Sequence, residues 1–189
     1  MELRRIERGE ASYPTSLTKA LGESAPSRLT TAGNLALLNR KPLALFCSAK
    51  CPGSLILQTY DFVRELCESP VTFIGGFHSP MEQECLAIIL RANRPVIICP
   101  ARGMPRRIPA AWKQALAAER MLLLTQFDEA AHRMTTELAR QRNCLVAALA
   151  DRIFIAHAAP GSKTEAFARE VLGWGKPVLH LDDTTEQLP

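Results

Sequence analysis

The sequence predicts a Rossmann-like, doubly wound α/β domain with a mostly parallel sheet of about six strands and helices on both faces. Two observations support this fold class. Short apolar runs alternate along the chain with longer segments of helical periodicity. Several of the runs end in glycine, serine or a cation just before the next helix. Strands that alternate with helices are joined by crossovers, which make neighbouring strands parallel and cover both faces of the sheet.

The apolar runs give the strands in chain order: Pro42–Cys47, Val71–Ile74, Pro95–Cys99, Met121–Thr125, Ile153–Ala156 and Pro177–Leu181. Helical periodicity predicts the main helices between them: Gly53–Cys67, Pro80–Arg91, Ile108–Ala118 and Ala130–Ala150. A further helix begins after Gly161-Ser162. The first forty residues show neither pattern. We therefore expect one domain, with an irregular extension (1–40) that packs on a Rossmann-like core (41–189).

Composition places the chain among ordinary globular proteins. It has 189 residues, of which 47% are hydrophobic and 22% charged. No apolar run reaches the roughly 18 residues that a membrane span needs. The N-terminus, MELRRIERGE, has no apolar segment of a secretory signal, so a cytoplasmic location is expected. The net charge of +4 is mildly basic and permits nucleic acid as a partner.

The six cysteines are expected to be reduced thiols rather than disulfides or metal ligands. Cys47 and Cys51 are four positions apart, with no second pair or nearby histidine to complete a zinc site. The others lie in apolar helical or strand contexts: Cys67, Cys85, Cys99 and Cys144. We expect neither a metal nor a cofactor.

Small residues, hydroxyls and cations recur just after the predicted strands. In a parallel α/β sheet these positions meet at the carboxyl edge, where ligands bind. The candidate ligand-binding residues are Ser48 and Lys50 after the first strand, Gly75, Gly76, Phe77 and His78 after the second, Arg102, Arg106 and Arg107 after the third, and Gly161, Ser162, Lys163 and Thr164 after the fifth.

The last of these turns indicates an anionic ligand most directly. A strand that stops at Gly161-Ser162 and feeds a helix leaves unpaired backbone N–H groups, which together with the helix dipole favour a phosphate. Lys163 adds a positive charge at the same place. The chain contains no G-x-G-x-x-G and no Walker A sequence, so it has neither an NAD fingerprint nor an ATPase loop.

Five residues need separate interpretation. Arg142 lies in a predicted helix beside other arginines and either lines the site or belongs to a solvated helix face, while Asn143 braces a loop or joins the site. His78 and Glu82 are close enough for acid–base chemistry, although the helix dipole alone explains a glutamate in the first turn. Phe77 is a loop aromatic that would stack on a base.

A series of short motifs follows one order along residues 10–182. It begins at Tyr13-Pro14 and passes through GGFHSPMEQECLAIIL at 75–90. It continues with Arg142-Asn143 and Leu149-Ala150-Asp151, and ends with the turn at 161–166 and Gly175-Lys176-Pro177-Val178. The ordered series resembles the Rossmann-like core of the DprA/Smf DNA-processing family.

This resemblance implies single-stranded DNA binding through the phosphate backbone, without cleavage, during uptake or recombination. It also implies hand-over to a RecA-type recombinase and self-association, with a homodimer as the expected form. Several positions depart from the family. Cys47-Ser48-Ala49 stands where the family has Gly-Ser-Arg, which leaves Lys50 as the nearest cation, and Cys144 replaces a second arginine. The chain is expected to be a stand-alone core.

A second function class stays open, that of an enzyme or binding protein for a small nucleotide. The turn Pro160–Glu165 also resembles the Pro-Gly-x-x-Thr-Glu turn of LOG-type nucleoside-monophosphate phosphoribohydrolases. In that interpretation Glu165 or Glu82 would assist cleavage of the glycosidic bond or bind the ribose. A third possibility is a partner-binding domain that has lost its ancestral site.

Overall fold

The computed structural model describes residues 2–48, 51–131 and 133–181. Eight strands form one sheet: β1 (Arg4–Glu7), β2 (Arg28–Gly33), β3 (Leu43–Cys47), β4 (Phe73–Gly75), β5 (Val96–Ile98), β6 (Met121–Thr125), β7 (Arg152–His157) and β8 (Val178–Leu179). Six α-helices cover it: α1 (Thr15–Leu21), α2 (Gly53–Leu66), α3 (Pro80–Arg91), α4 (Ala110–Ala117), α5 (Thr136–Leu149) and α6 (Lys163–Leu172).

The order of the strands across the sheet is β1-β2-β6-β5-β4-β3-β7-β8. The six strands from β6 to β8 are all parallel, as the alternation of strands and helices predicts. Strand β2 pairs antiparallel with β6, and β1 pairs antiparallel with β2. The Rossmann-like, mostly parallel fold is therefore confirmed.

A hydrophobic core lies on each face of the sheet. On the first face, helices α1, α5 and α6 pack against alternate strand residues such as Phe46, Ile97 and Ile155. On the second face, helices α2, α3 and α4 pack against the intervening residues such as Leu45 and Ile98. The parallel strands are apolar on both sides because helices cover both of their faces.

The expected count of about six strands is wrong, because the sheet has eight. Residues 2–40 are not irregular: they contribute β1, β2, α1 and two short 3-10 turns at Gly22–Ser24 and Leu35–Asn39. Together the two extra strands are rich in arginine and threonine. They bury few side chains on the second face, so their sequences lack the continuous apolar run of the central strands.

The predicted helix Ala130–Ala150 is too long, because α5 begins only at Thr136. Thr135 is its N-cap, and the threonine side chain accepts a hydrogen bond from the Leu138 N–H at 3.2 Å. Such a cap satisfies one of the free N–H groups of the first turn and fixes where the helix starts. Among the described residues, no helix has the length and apolar character needed to cross a membrane.

Candidate functional site: the crevice at the carboxyl ends of β3 and β7

Strand β3 is the point at which the strand order reverses. From β3 the chain runs outward through β4, β5 and β6, and then returns to place β7 on the other side of β3. Connections on the two sides of such a reversal diverge, which opens a crevice at the carboxyl ends of the two central strands. The crevice in this protein therefore lies between the end of β3 and the end of β7.

Two serines bridge the crevice. The Oγ atoms of Ser48, after β3, and Ser162, after β7, are 3.4 Å apart. Ser48 is buried, and its hydroxyl also accepts a hydrogen bond from the Ala159 N–H at 3.2 Å. The pairing of β3 with β7 shifts register between Phe46 and Cys47. This irregularity coincides with the point at which the chain turns toward β7, where the Ser48 N–H bonds to the His157 carbonyl at 2.9 Å.

The turn after β7 delivers the N-terminus of α6 to the crevice. Ser162 caps this helix by accepting from the Glu165 N–H at 3.1 Å, and Glu165 reaches back to accept from the Gly161 N–H at 2.8 Å. The N–H of Gly161 and the guanidinium of Arg169 lower the pKa of Glu165. Lys163 is exposed in the first turn, with Thr164 half-buried beside it. The predicted helix after Gly161-Ser162 is present as α6, whereas the binding of an anion at this turn stays a prediction.

Arg142 is a buried cation that lies against the loops after β4 and β5. It lies on α5 with only 6% of its surface exposed. Its Nε donates to the Asn143 side-chain oxygen at 2.7 Å, and its Nη1 donates to the Cys99 carbonyl, at the end of β5, at 3.3 Å. Burial lowers the pKa of Arg142, although the nearby negative charge of Glu82 opposes that shift. The interpretation of Arg142 as part of a solvated helix face is therefore wrong.

Gly76 allows this arginine to reach the site. A Cβ atom added at Gly76 would overlap the Arg142 guanidinium. The guanidinium thus lies directly against the backbone after β4, in space that any side chain at this position would take. Gly76 is required by this close approach of a side chain to the backbone, which the sequence did not indicate, although it made Gly76 a candidate ligand-binding residue.

Glu82 connects the end of β3 to the loop after β4 through hydrogen bonds. It is 7% exposed, and one carboxylate oxygen accepts from the Cys47 N–H at 3.1 Å. The other oxygen accepts from the N–H groups of His78 at 2.8 Å and Ser79 at 3.1 Å. Ser79 in turn accepts from the Glu82 N–H, so the pair forms a capping box at the start of α3. Its carboxylate is occupied by three backbone donors, a role that the sequence did not reveal.

The structure corrects the expectation for Phe77. This residue has a positive φ of 47°, which turns its ring inward, and only 6% of its surface is exposed. The ring packs beneath Gly75, with its Cζ atom 3.1 Å from where a Cβ on that glycine would stand. Phe77 is therefore part of the second core rather than a free aromatic platform. His78, by contrast, is exposed beside the crevice.

The three loop arginines lie farther along the same edge. Arg102, Arg106 and Arg107 follow β5 and are all exposed. Strands stand about 4.8 Å apart, so the end of β5 lies about 10 Å from that of β3, two strands away. These side chains are not gathered into the crevice itself. Lys50, the remaining predicted cation, lies outside the described residues.

The groups at this edge of the sheet are of types that can bind an anion. They comprise serine hydroxyls, the free N–H groups of a helix N-terminus, an exposed lysine and a buried guanidinium. Among residues 2–48, 51–131 and 133–181, no group of three or more His, Cys, Asp or Glu side chains is placed to hold a metal ion.

The fold and this crevice define a Rossmann-like protein in which the loops after β3, β4 and β7 converge. The sequence profile of the family described as DNA recombination-mediator protein A matches residues 4–188, and the chain belongs to this family. No curated protein sequence matches the chain.

Two solved structures share the fold. DNA processing protein A (DprA) from Streptococcus pneumoniae superposes with a TM-score of 0.79 at 18% identity, over 95% of this chain and 62% of that protein. DNA processing protein A from Helicobacter pylori superposes with a TM-score of 0.74 at 19% identity, over 95% of this chain and 80% of that one. The structure of the H. pylori protein was described for its mode of binding single-stranded DNA.

Proposed function

We propose that this protein binds single-stranded DNA through its phosphate backbone, with the crevice between β3 and β7 as the centre of the site, and does not cleave it. The proposal rests mainly on the environment of the Arg142 guanidinium. This guanidinium is buried, and it forms no ion pair within 4 Å in the part of the chain that the structure describes. A buried charge is costly unless it is paired, so such a group at a crevice points to an anionic ligand.

The other groups at the crevice suit a phosphate. The N-terminus of α6 presents free N–H groups, and Lys163 and the two serines add a cation and hydroxyl donors. Family membership and the DNA-binding H. pylori structure favour DNA over other anions. Both candidate catalytic carboxylates are engaged, Glu82 with three N–H groups and Glu165 with Gly161 and Arg169. Their engagement supports binding without hydrolysis.

Fluorescence anisotropy of a labelled single-stranded oligonucleotide tests the proposal. Binding titrated at several salt concentrations is expected to weaken steeply with salt, with a log–log slope of about −0.7 per phosphate contact. In Lys163→Ala, affinity should fall and the slope should become shallower by about 0.7. Lys19→Ala is the matched control, because Lys19 is an exposed lysine on α1 that lines a hollow with Lys41 and Pro42, at the opposite edge of the sheet.

Two outcomes would overturn this function. One is the absence of single-strand binding at low salt. The other is saturable binding of nucleoside monophosphates with no affinity for oligonucleotides, which would favour the small-nucleotide function. Equal effects of Lys163→Ala and Lys19→Ala would place the DNA elsewhere on the surface.

The resemblance also leads us to propose cytoplasmic hand-over of the DNA to a RecA-type recombinase and self-association of the chain. The protein spans 62% of the S. pneumoniae relative, so these properties need tests on this chain itself. Static light scattering is expected to show a homodimer at micromolar concentration, and a strict monomer would contradict that expectation.

A further inference from the structure

A groove separate from the crevice opens on the second face of the sheet, beside the N-terminal strands. Two adjoining hollows of about 530 and 740 Å³ form it and share Leu3, Met104 and Glu129. We call it the arginine groove and define it by Leu3, Arg5, Met104, Arg106, Arg107 and Phe127.

The groove exists because β1 is covered on one face only. Ile6 is fully buried in the core of the first face, whereas Leu3 and Arg5 point to the second face and are exposed. Successive side chains of a strand alternate between the faces, so β1 presents an apolar and a cationic side chain on the open side. Exposed Leu3, half-buried Met104 and half-buried Phe127 give the groove an apolar floor.

The balance of charge in the groove is positive. In the described part of the chain, none of Arg5, Arg106 and Arg107 forms an ion pair. Of the two acidic residues at its rim, Asp128 is paired with Arg28, which leaves Glu129 as the rim carboxylate opposite three arginines. Cations around an apolar floor with an aromatic ring are the pattern that binds single strands, because phosphates meet the cations and base faces stack.

The loop that carries two of these arginines is held in place. The Thr125 hydroxyl donates to the Arg102 carbonyl at 2.7 Å, and the Gly103 N–H donates to the Ala131 carbonyl at 3.1 Å. Gly103 has no room for a side chain, because an added Cβ would stand 2.7 Å from the Asp128 carbonyl oxygen. The groove is therefore a preformed surface.

The groove lies next to the loop that contacts Arg142. The Cys99 carbonyl that accepts from Arg142 lies only three residues before Arg102, and Arg102 leads directly into the groove. A strand of nucleic acid leaving the crevice along the ends of β4 and β5 would meet this groove next.

We propose that the arginine groove holds a second stretch of the same single-stranded nucleic acid whose backbone occupies the crevice. The inference rests on the proposed function and extends it: the N-terminal strands take part in binding, and the footprint crosses the sheet from β7 to β1.

The test compares short and long oligonucleotides by fluorescence anisotropy. Lengths of about 4 and about 16 nucleotides bracket the site sizes of common single-strand binding folds. Arg5→Ala/Arg107→Ala is expected to bind the long oligonucleotide about tenfold more weakly, with a salt slope shallower by about 1.4 for two lost contacts. Its affinity for the short oligonucleotide should stay unchanged. Lys19→Ala/Arg40→Ala removes the same charge at the opposite edge and should leave both affinities unchanged.

The outcomes separate this inference from the function on which it rests. If the unmodified protein binds neither oligonucleotide, the proposed function fails. If it binds both, and the groove variant behaves like the Lys19→Ala/Arg40→Ala control, the groove proposal fails and the crevice stands. Equal weakening of the short and the long oligonucleotide would also overturn the groove as a second, separate stretch of the footprint.

Discussion

Replacing Glu82 by alanine is expected to destabilise the protein by about 3 kcal/mol, because buried donors left without an acceptor each cost about 1–3 kcal/mol. The N–H groups of Cys47, His78 and Ser79 would all lose the carboxylate that accepts from them. Since 1 kcal/mol shifts the melting temperature of a domain of this size by about 2–4 °C, thermal unfolding should begin about 6–12 °C lower.

Two further variants identify the cause of the destabilisation. Glu82→Gln keeps one acceptor oxygen and should lie between the wild type and the alanine variant. Glu84→Ala removes an exposed carboxylate two positions along α3 and is expected to change stability by less than about 0.5 kcal/mol. A loss of stability in Glu84→Ala as large as in Glu82→Ala would assign the effect to helix charge rather than to the buried hydrogen bonds.

Gly76→Ala is expected to cost about 2 kcal/mol and to weaken binding of single-stranded DNA about tenfold. The new methyl group would take the space of the Arg142 guanidinium and push it away from the Cys99 carbonyl. The displaced cation would lose its charge-assisted hydrogen bond to the Cys99 carbonyl and its position next to the proposed DNA site. Chemical denaturation and oligonucleotide anisotropy measure the two effects.

A double-mutant cycle isolates this contact. In an Arg142→Met background the guanidinium is gone, so adding Gly76→Ala should cost less than about 0.5 kcal/mol. The difference between the two backgrounds gives the coupling between residues 76 and 142. Equal costs in both backgrounds would mean that the methyl group clashes with something other than Arg142.

The central part of the fold could be predicted from the sequence because its strands are buried on both faces. Continuous apolar runs such as Met121–Thr125 match the observed β6 at both ends. Strands β1 and β2 escaped prediction because they lack such runs. Strand β1 buries only Ile6, and β2 alternates its buried residues with the partly buried Arg28 and Thr30. A strand at the edge of a sheet needs little apolar sequence, so pairing over long distances decides its structure.

The candidate site, like the fold, could be predicted only in part. The serine at the start of α6 follows a local rule of helix capping, which depends on the neighbouring sequence alone. The contact of Arg142 with Gly76 and the hydrogen bond of Glu82 to Cys47 join residues that are distant in the chain. Such contacts depend on the tertiary arrangement of the loops, so no spacing of residues in the sequence predicts them. The expectation that Phe77 stacks on a base is wrong because the direction of its ring depends on a left-handed backbone conformation that the sequence does not indicate.

The pairing of β2 with β6 has a consequence for how the protein is made. Thr30 pairs with Thr125, so the first two strands emerge from the ribosome long before the strand that receives them. The antiparallel pair of β1 and β2 alone is marginally stable in water, and closing a loop of half the chain length is entropically costly and slow. The N-terminal strands are thus expected to dock last, and a chain that stops before residue 121 would leave them without a partner.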